Sequence, residues 1–269
     1  MLNRKFKNTN IFMTSLQILL LVLTFGYVSH LSAQENKPTT LNKSEIESIV
    51  RAYILGHPEI IPEAIEILQD RERMAEQEAL KFAISSKKHL IENDGFSMVG
   101  GNPNGDVTIT EFYDYRCPFC SRSHADVLRL IEEDKNLRVV YKQFPVKDRP
   151  GEPQISLKAS QMAVSANRQG KFKEFHHMAI MEGTGLTDLK LRVIAKNLDL
   201  DKEQLKTDME DPEVIDQIRK NMMLARDLGI TGTPTFVIGN EVIVGARGYD
   251  LLKQTIDRTR KSQKNPKPN

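Results

Sequence analysis

Two cysteines, and only two, occur in the 269 residues, three positions apart in the run Glu111-Phe112-Tyr113-Asp114-Tyr115-Arg116-Cys117-Pro118-Phe119-Cys120. A C-x-x-C pair supports two kinds of chemistry, disulfide exchange and metal ligation. The residues before the pair read as a strand and those after it as a helix, so Cys117 is expected at a helix N-terminus. Unpaired backbone N–H groups and the positive end of the helix dipole stabilise a thiolate there, and Pro118 fits the first turn at no hydrogen-bond cost. Cys117 is therefore expected to titrate below a free thiol and to act as a nucleophile, with Cys120 one turn deeper as the resolving thiol. The rival is a metal site. A structural zinc site takes four ligands, and beyond the two cysteines only His124, His176 and His177 are candidates. No metal and no cofactor is expected.

The elements that must position this pair read as α/β. A strand at 107–113, a helix at about 118–133 and a strand at 137–144 form a βαβ unit, which favours a parallel pair. A mostly helical stretch from about 155 to 228 follows, with apolar patterning at 157–167, 172–181, 189–198 and 214–228. Then come a strand at 235–238, the two-residue turn Gly239-Asn240, a strand at 241–244 and a helix at 249–260. Glu111 lies in the first strand, six residues before Cys117, and alternation along that strand favours burial of its side chain. His124, one turn beyond Cys120, is expected to be solvated or packed against a helix and not catalytic.

Arg4, Lys5 and Lys7 precede an apolar run at 11–28 that ends in small residues, which reads as a signal peptide over residues 1–33. An uncleaved anchor is the alternative. Residues 34–95 read as a helical arm. Ser44 and Glu47 suggest a capping box, Ile46, Ile49, Val50, Tyr53 and Ile54 repeat at helical spacing, and Gly56-His57-Pro58 ends that helix. Pro62 fits the first turn of a second helix, continuing to about Ile91, whose apolar stripe is thin. Such a stripe suits packing on a twin in another subunit, and a homo-oligomer is expected. A catalytic domain at 96–261, with its helical insertion at about 150–228, and a disordered tail at 262–269 complete the chain. The composition, 39% hydrophobic and 28% charged, is that of a folding protein, and the net charge of +2 offers no field to recruit nucleic acid or anionic lipid. Export delivers a chain to an oxidising compartment, yet one closely spaced cysteine pair closes too short a loop to serve as a staple.

The run F-Y-D-Y-R-C-P-F-C, followed by G-I-T-G-T-P-T-F-V-I-G at 229–239, resembles the DsbA-like branch of thioredoxin-fold proteins. The resemblance covers about 99–260. It implies a thioredoxin-like fold with an inserted helical subdomain, and a substrate-binding loop in which Pro234 is cis and Thr233 hydrogen-bonds an extended chain beside Cys117, with Pro118 and Phe119 also contacting substrate. It further implies that Glu111 is a buried acid that moves the proton of Cys120. One departure stands out: Phe119 occupies the position where strongly oxidising members carry histidine, and Thr233 is more like the isomerases. The segment 46–65 resembles the N-terminal region of ScsC-type proteins, in whose long-stalked relatives that region builds a trimer.

Together these readings favour an oligomeric periplasmic isomerase or reductase of unfolded or misfolded secreted proteins, served by a membrane redox partner of the DsbD/ScsB or DsbB type. The alternatives are a monomeric dithiol oxidase and a Cu(I)-binding thiol or chaperone module, since soft thiolates suit that ion.

Overall fold

The structure, a computed structural model, describes residues 41–265. The signal peptide expected at 1–33, the first residues of the arm, 34–40, and the last residues of the tail, 266–269, lie outside the described residues. Among the described residues no helix is long and apolar enough to cross a membrane.

By its contacts the chain divides into two units, one ending at Ile67 and one beginning at Leu68. In the first, α1 spans Lys43–Gly56 and buries none of its residues. Its cap is not the Ser44–Glu47 pair expected from sequence. Asn42 is the N-cap, its Oδ1 accepting from Glu45 N at 3.0 Å while its own N–H donates to Glu45 Oε2 at 2.9 Å. Asn caps as well as Ser, so the reciprocal box forms two residues earlier. The long helix α2, Ile60–Ser86, contains the boundary between the units.

The second unit is built on a five-stranded mixed sheet of order β1-β3-β2-β4-β5. β2 (Val107–Tyr113) and β3 (Leu137–Gln143) are parallel, joined by α4 (Pro118–Glu133) in a βαβ unit. β4 (Thr235–Ile238) runs antiparallel to β2, and β5 (Glu241–Val244) closes a hairpin through Gly239-Asn240, with Gly239 at φ 58°. The edge strand β1, Met98–Gly101, pairs antiparallel with β3. That strand was not expected, because Gly100 and Gly101 look like turn residues.

β2 is buried along almost its whole length because helices cover both faces. Ile109 and Tyr113 share one face with α4 and with α10 (Tyr249–Lys264). Phe112 belongs to the other, packing with Phe144, Val237, Leu224 and Leu228 beside α9 (Pro212–Asp227). Ile84 and Ile91 join this second cluster, so the sequence that read as the end of an arm is buried against the sheet. The single arm helix expected to reach Ile91 breaks after Ser86, and a short α3, Lys88–Glu92, follows. Lys142 of β3 is wholly enclosed there, donating to Leu90 O at 2.8 Å and paired with Asp94. Between β3 and β4 lie α5 (Ile155–Arg168), α6 (Phe172–Glu182), α7 (Asp188–Asn197) and α8 (Lys202–Glu210) as well as α9. α8 was not foreseen, since its sequence KEQLKTDME is almost entirely polar; Asp201 caps it, accepting from Gln204 N at 2.7 Å.

Candidate active site

The end of β2 nearest α4 carries the site. Cys117 is the N-cap of α4, with Pro118 in the first turn. Its carbonyl accepts from the N–H groups of Cys120 and Ser121, both at 3.1 Å, so the side chain sits at the mouth of the helix. The turn into this position is fixed by Asp114, whose carboxylate accepts from Arg116 N at 2.7 Å, Lys147 N at 2.8 Å and Ser156 Oγ at 2.8 Å. Sequence reading passed over Asp114. An Asp at a strand end, two residues before the N–H it bonds, is the signal that could have found it.

The Cys117 Sγ lies 3.2 Å from the carbonyl oxygen of Thr233, which precedes a cis bond to Pro234. The loop at 233–234 and the cysteine pair, more than a hundred residues apart in sequence, therefore meet. Both cysteines are free thiols and both are buried. Phe119 points outward, 48% exposed, with the Arg122 guanidinium over its ring.

The electrostatics separate the two sulfurs. The Cys120 thiol donates towards Cys117, and that bond, joined by the Thr233 side chain and by the N–H groups of Cys120 and Phe119, outweighs burial and holds Cys117 at a pKa of about 5. Burial drives the Cys120 thiol far above its ordinary range, and the Cys117 bond and the Glu111 charge push the same way. Glu111 is 3% exposed on β2, paired in register with Tyr141 and Phe236. Burial first, then repulsion from the Cys117 thiolate, raises it to about 8, and its Oε2 has no hydrogen-bond partner.

His124 is packed, not solvated. It is 3% exposed, its ring centroid 5.1 Å from that of His176, and its Nε2 lies 3.1 Å from His177 Nδ1. Burial and the neighbouring His177 lower it to about 4, which keeps it neutral. His176 is tied to Tyr115, whose hydroxyl lies 3.2 Å from His176 Nδ1 and accepts from the Tyr113 hydroxyl at 3.2 Å. Among the described residues no group of three or more His, Cys, Asp or Glu side chains is arranged to hold a metal ion.

Residues 108–257, more than half of the chain, match the family described as DSBA-like thioredoxin domain. The chain belongs to that family. Residues 42–75 match a second, the copper resistance protein ScsC N-terminal domain, so a DSBA-like domain and an ScsC-type arm share one polypeptide. Among solved structures, a thioredoxin-like oxidoreductase from Silicibacter pomeroyi DSS-3 is 38% identical, with 64% of this chain and 97% of that one covered at a TM-score of 0.59. ScsC of Proteus mirabilis in a transitional conformation is 28% identical over 82% of this chain and 100% of that one, with a TM-score of 0.61. Among curated proteins, the Na(+)/H(+) antiporter NhaA 1 of Salinispora arenicola is 27% identical over 158 residues, which is 59% of this chain. The match spans only 24% of that antiporter's length.

Proposed function

We propose that this DSBA-like chain is a periplasmic thiol:disulfide oxidoreductase that corrects disulfides in exported proteins, as an isomerase or reductase. The observation that carries the reading is the Cys117 sulfur at the N-terminus of α4, 3.2 Å from the Thr233 carbonyl, with its pKa held near 5. At neutral pH such a sulfur is a thiolate. It attacks one sulfur of a substrate disulfide, forming a mixed disulfide and expelling the other sulfur as a thiolate. Thr233 and Pro234, with Pro118 and the exposed ring of Phe119, supply the docking surface for the extended chain on either side of that bond.

Glu111 fits the next step. While Cys117 is a thiolate its charge helps keep Glu111 protonated. Once the sulfur is committed to the mixed disulfide that charge is gone, Glu111 ionises more readily, and its carboxylate can accept the Cys120 proton. Cys120 then attacks Cys117, releasing the substrate as a dithiol and leaving a Cys117–Cys120 disulfide, which a membrane donor of the DsbD/ScsB type must reduce. In isomerisation a second substrate thiolate attacks the substrate sulfur of the mixed disulfide instead, forming the new substrate disulfide and expelling Cys117 as a thiolate, with no net exchange of electrons.

The arm supports the correcting role. Ile46, Ile49, Val50 and Tyr53 are all about half exposed on α1, an apolar stripe suited to self-association into a homo-oligomer, with a trimer favoured by the ScsC-type match. Reactivation of scrambled ribonuclease, set against oxidation of reduced ribonuclease, tests the proposal; efficient oxidation with no unscrambling would refute the isomerase reading. The oxidase reading has one observation in its favour, the same low pKa of Cys117, because stabilising the thiolate makes the corresponding disulfide more oxidising.

A further inference from the structure

Away from the cysteines, the helical insertion carries a groove of about 790 Å³ between α5, α7 and α8. Its floor is apolar, formed by Met162, Leu200, Leu205 and Met209. Its rim is cationic. Lys158 and Arg192 are both paired with Asp188, but Lys196, Lys202 and Lys206 form no ion pair among the described residues, and Glu210 is the sole acid on the rim.

The walls are held in place without any ligand. Asp208 of α8 accepts from Ser165 Oγ at 2.6 Å, Arg168 Nη1 at 2.6 Å and Gln204 Nε2 at 2.8 Å, which clamps α8 to α5. Gln161 Nε2 adds a bond to Met209 O at 2.8 Å, and Lys171 Nζ ties the α7–α8 turn at Asp199 O, 3.1 Å. A groove so fixed costs little to organise on binding.

We propose that this groove binds a single-chain fatty acid, its alkyl tail on the methionine and leucine floor and its carboxylate among Lys196, Lys202 and Lys206. The volume lies within the range of about 300–1,000 Å³ usual for small-molecule sites. The unpaired cations specify a negative head, and methionine side chains adapt to a flexible chain. An acidic peptide fits less well. The walls are helices whose backbone groups are already bonded, so they offer no strand edge to a peptide main chain.

Calorimetric titration of the whole protein with decanoate and laurate, each below its micelle concentration, tests the proposal. Saturable one-to-one binding is expected, with laurate roughly tenfold tighter than decanoate for its two additional methylenes. The double variant Lys196→Glu with Lys206→Glu, both at exposed positions, should weaken laurate at least tenfold, and a neutral surfactant with the same alkyl chain should bind the wild type at least tenfold more weakly than laurate. Absence of saturable binding by the wild type, equal affinity for the neutral surfactant, or an acidic peptide binding where laurate does not would each overturn it. The wild-type chain-length series decides the matter even if the double variant fails to fold.

Discussion

Replacing Glu111 by Gln should raise the stability of the reduced protein at neutral pH, and by an amount that depends on pH in a specified way. The Glu111 carboxyl titrates near 8 in the folded chain against an ordinary value of 4.5. Between those values the folded state binds a proton that the unfolded state has lost, so stability falls as pH rises, by about 1.4 kcal/mol per pH unit. Below 4.5 both states are protonated and the penalty vanishes. At pH 7 it amounts to about 3 kcal/mol, which Gln, of similar size and unable to ionise, does not incur. Cys117 works in the opposite sense. Its pKa is lowered from 9.0 to about 5, so the folded state has lost a proton that the unfolded state keeps, and stability rises with pH across that interval. In the reduced wild type these two slopes nearly cancel between about pH 5 and 8, and what remains below the ordinary histidine value of 6.5 is the rise contributed by the buried, neutral His124 and His176. In Glu111→Gln the Cys117 slope is unopposed and adds to the histidine contribution, which both proteins share. Urea denaturation of the reduced proteins at a series of pH values is the assay. The variant is expected to gain on the wild type by about 1.4 kcal/mol for each pH unit between about pH 5 and 8. A constant burial cost of the Gln amide would shift the whole variant curve without changing its slope. Parallel profiles for the two proteins would refute a raised pKa at Glu111.

Three further outcomes are expected. Alkylation of the reduced protein by iodoacetamide should occur at Cys117 with a rate midpoint near pH 5, while Cys120 stays unmodified until the protein is denatured; peptide mass mapping reads both. Asp94→Ala should cost about 3–5 kcal/mol in chemical denaturation, because it strands the enclosed Lys142 ammonium, and the double replacement Asp94→Leu with Lys142→Met should recover most of that loss. Ile49→Lys with Tyr53→Lys, at positions 55% and 54% exposed on α1, should leave the thermal transition unchanged yet reduce the solution mass to that of a monomer and abolish unscrambling, with insulin reduction retained; an unchanged mass by light scattering would remove α1 from the assembly.

What could be read from the residues alone divides along physical lines. The strands Val107–Tyr113, Thr235–Ile238 and Glu241–Val244 were legible because apolar runs bounded by turn residues state both their type and their ends. β1 was not, since a glycine pair looks like a turn until β3 is available to pair with it. α8 escaped because it buries little apolar surface and is held instead by its Asp201 cap and by Asp208, a polar anchor that periodicity does not register. In the site, Cys117, Cys120, Thr233 and Pro234 belong to local motifs and could be named in advance. Their meeting was implied by the resemblance alone, and in the fold it follows from the β2–β4 pairing. The bonds that join Asp114 to Lys147 and Ser156, and Tyr115 to His176, stayed invisible for a related reason, because those partners lie on segments far along the chain.

The dithiol chemistry itself is tested most directly by trapping. The Cys120→Ala protein, reduced and mixed with scrambled ribonuclease, should accumulate a covalent adduct whose disulfide maps to Cys117, because the thiol that would release the substrate is gone. The Cys117→Ala protein should form none. Absence of an adduct in the first protein, or an equal yield in the second through Cys120, would contradict the assignment of Cys117 as the attacking sulfur.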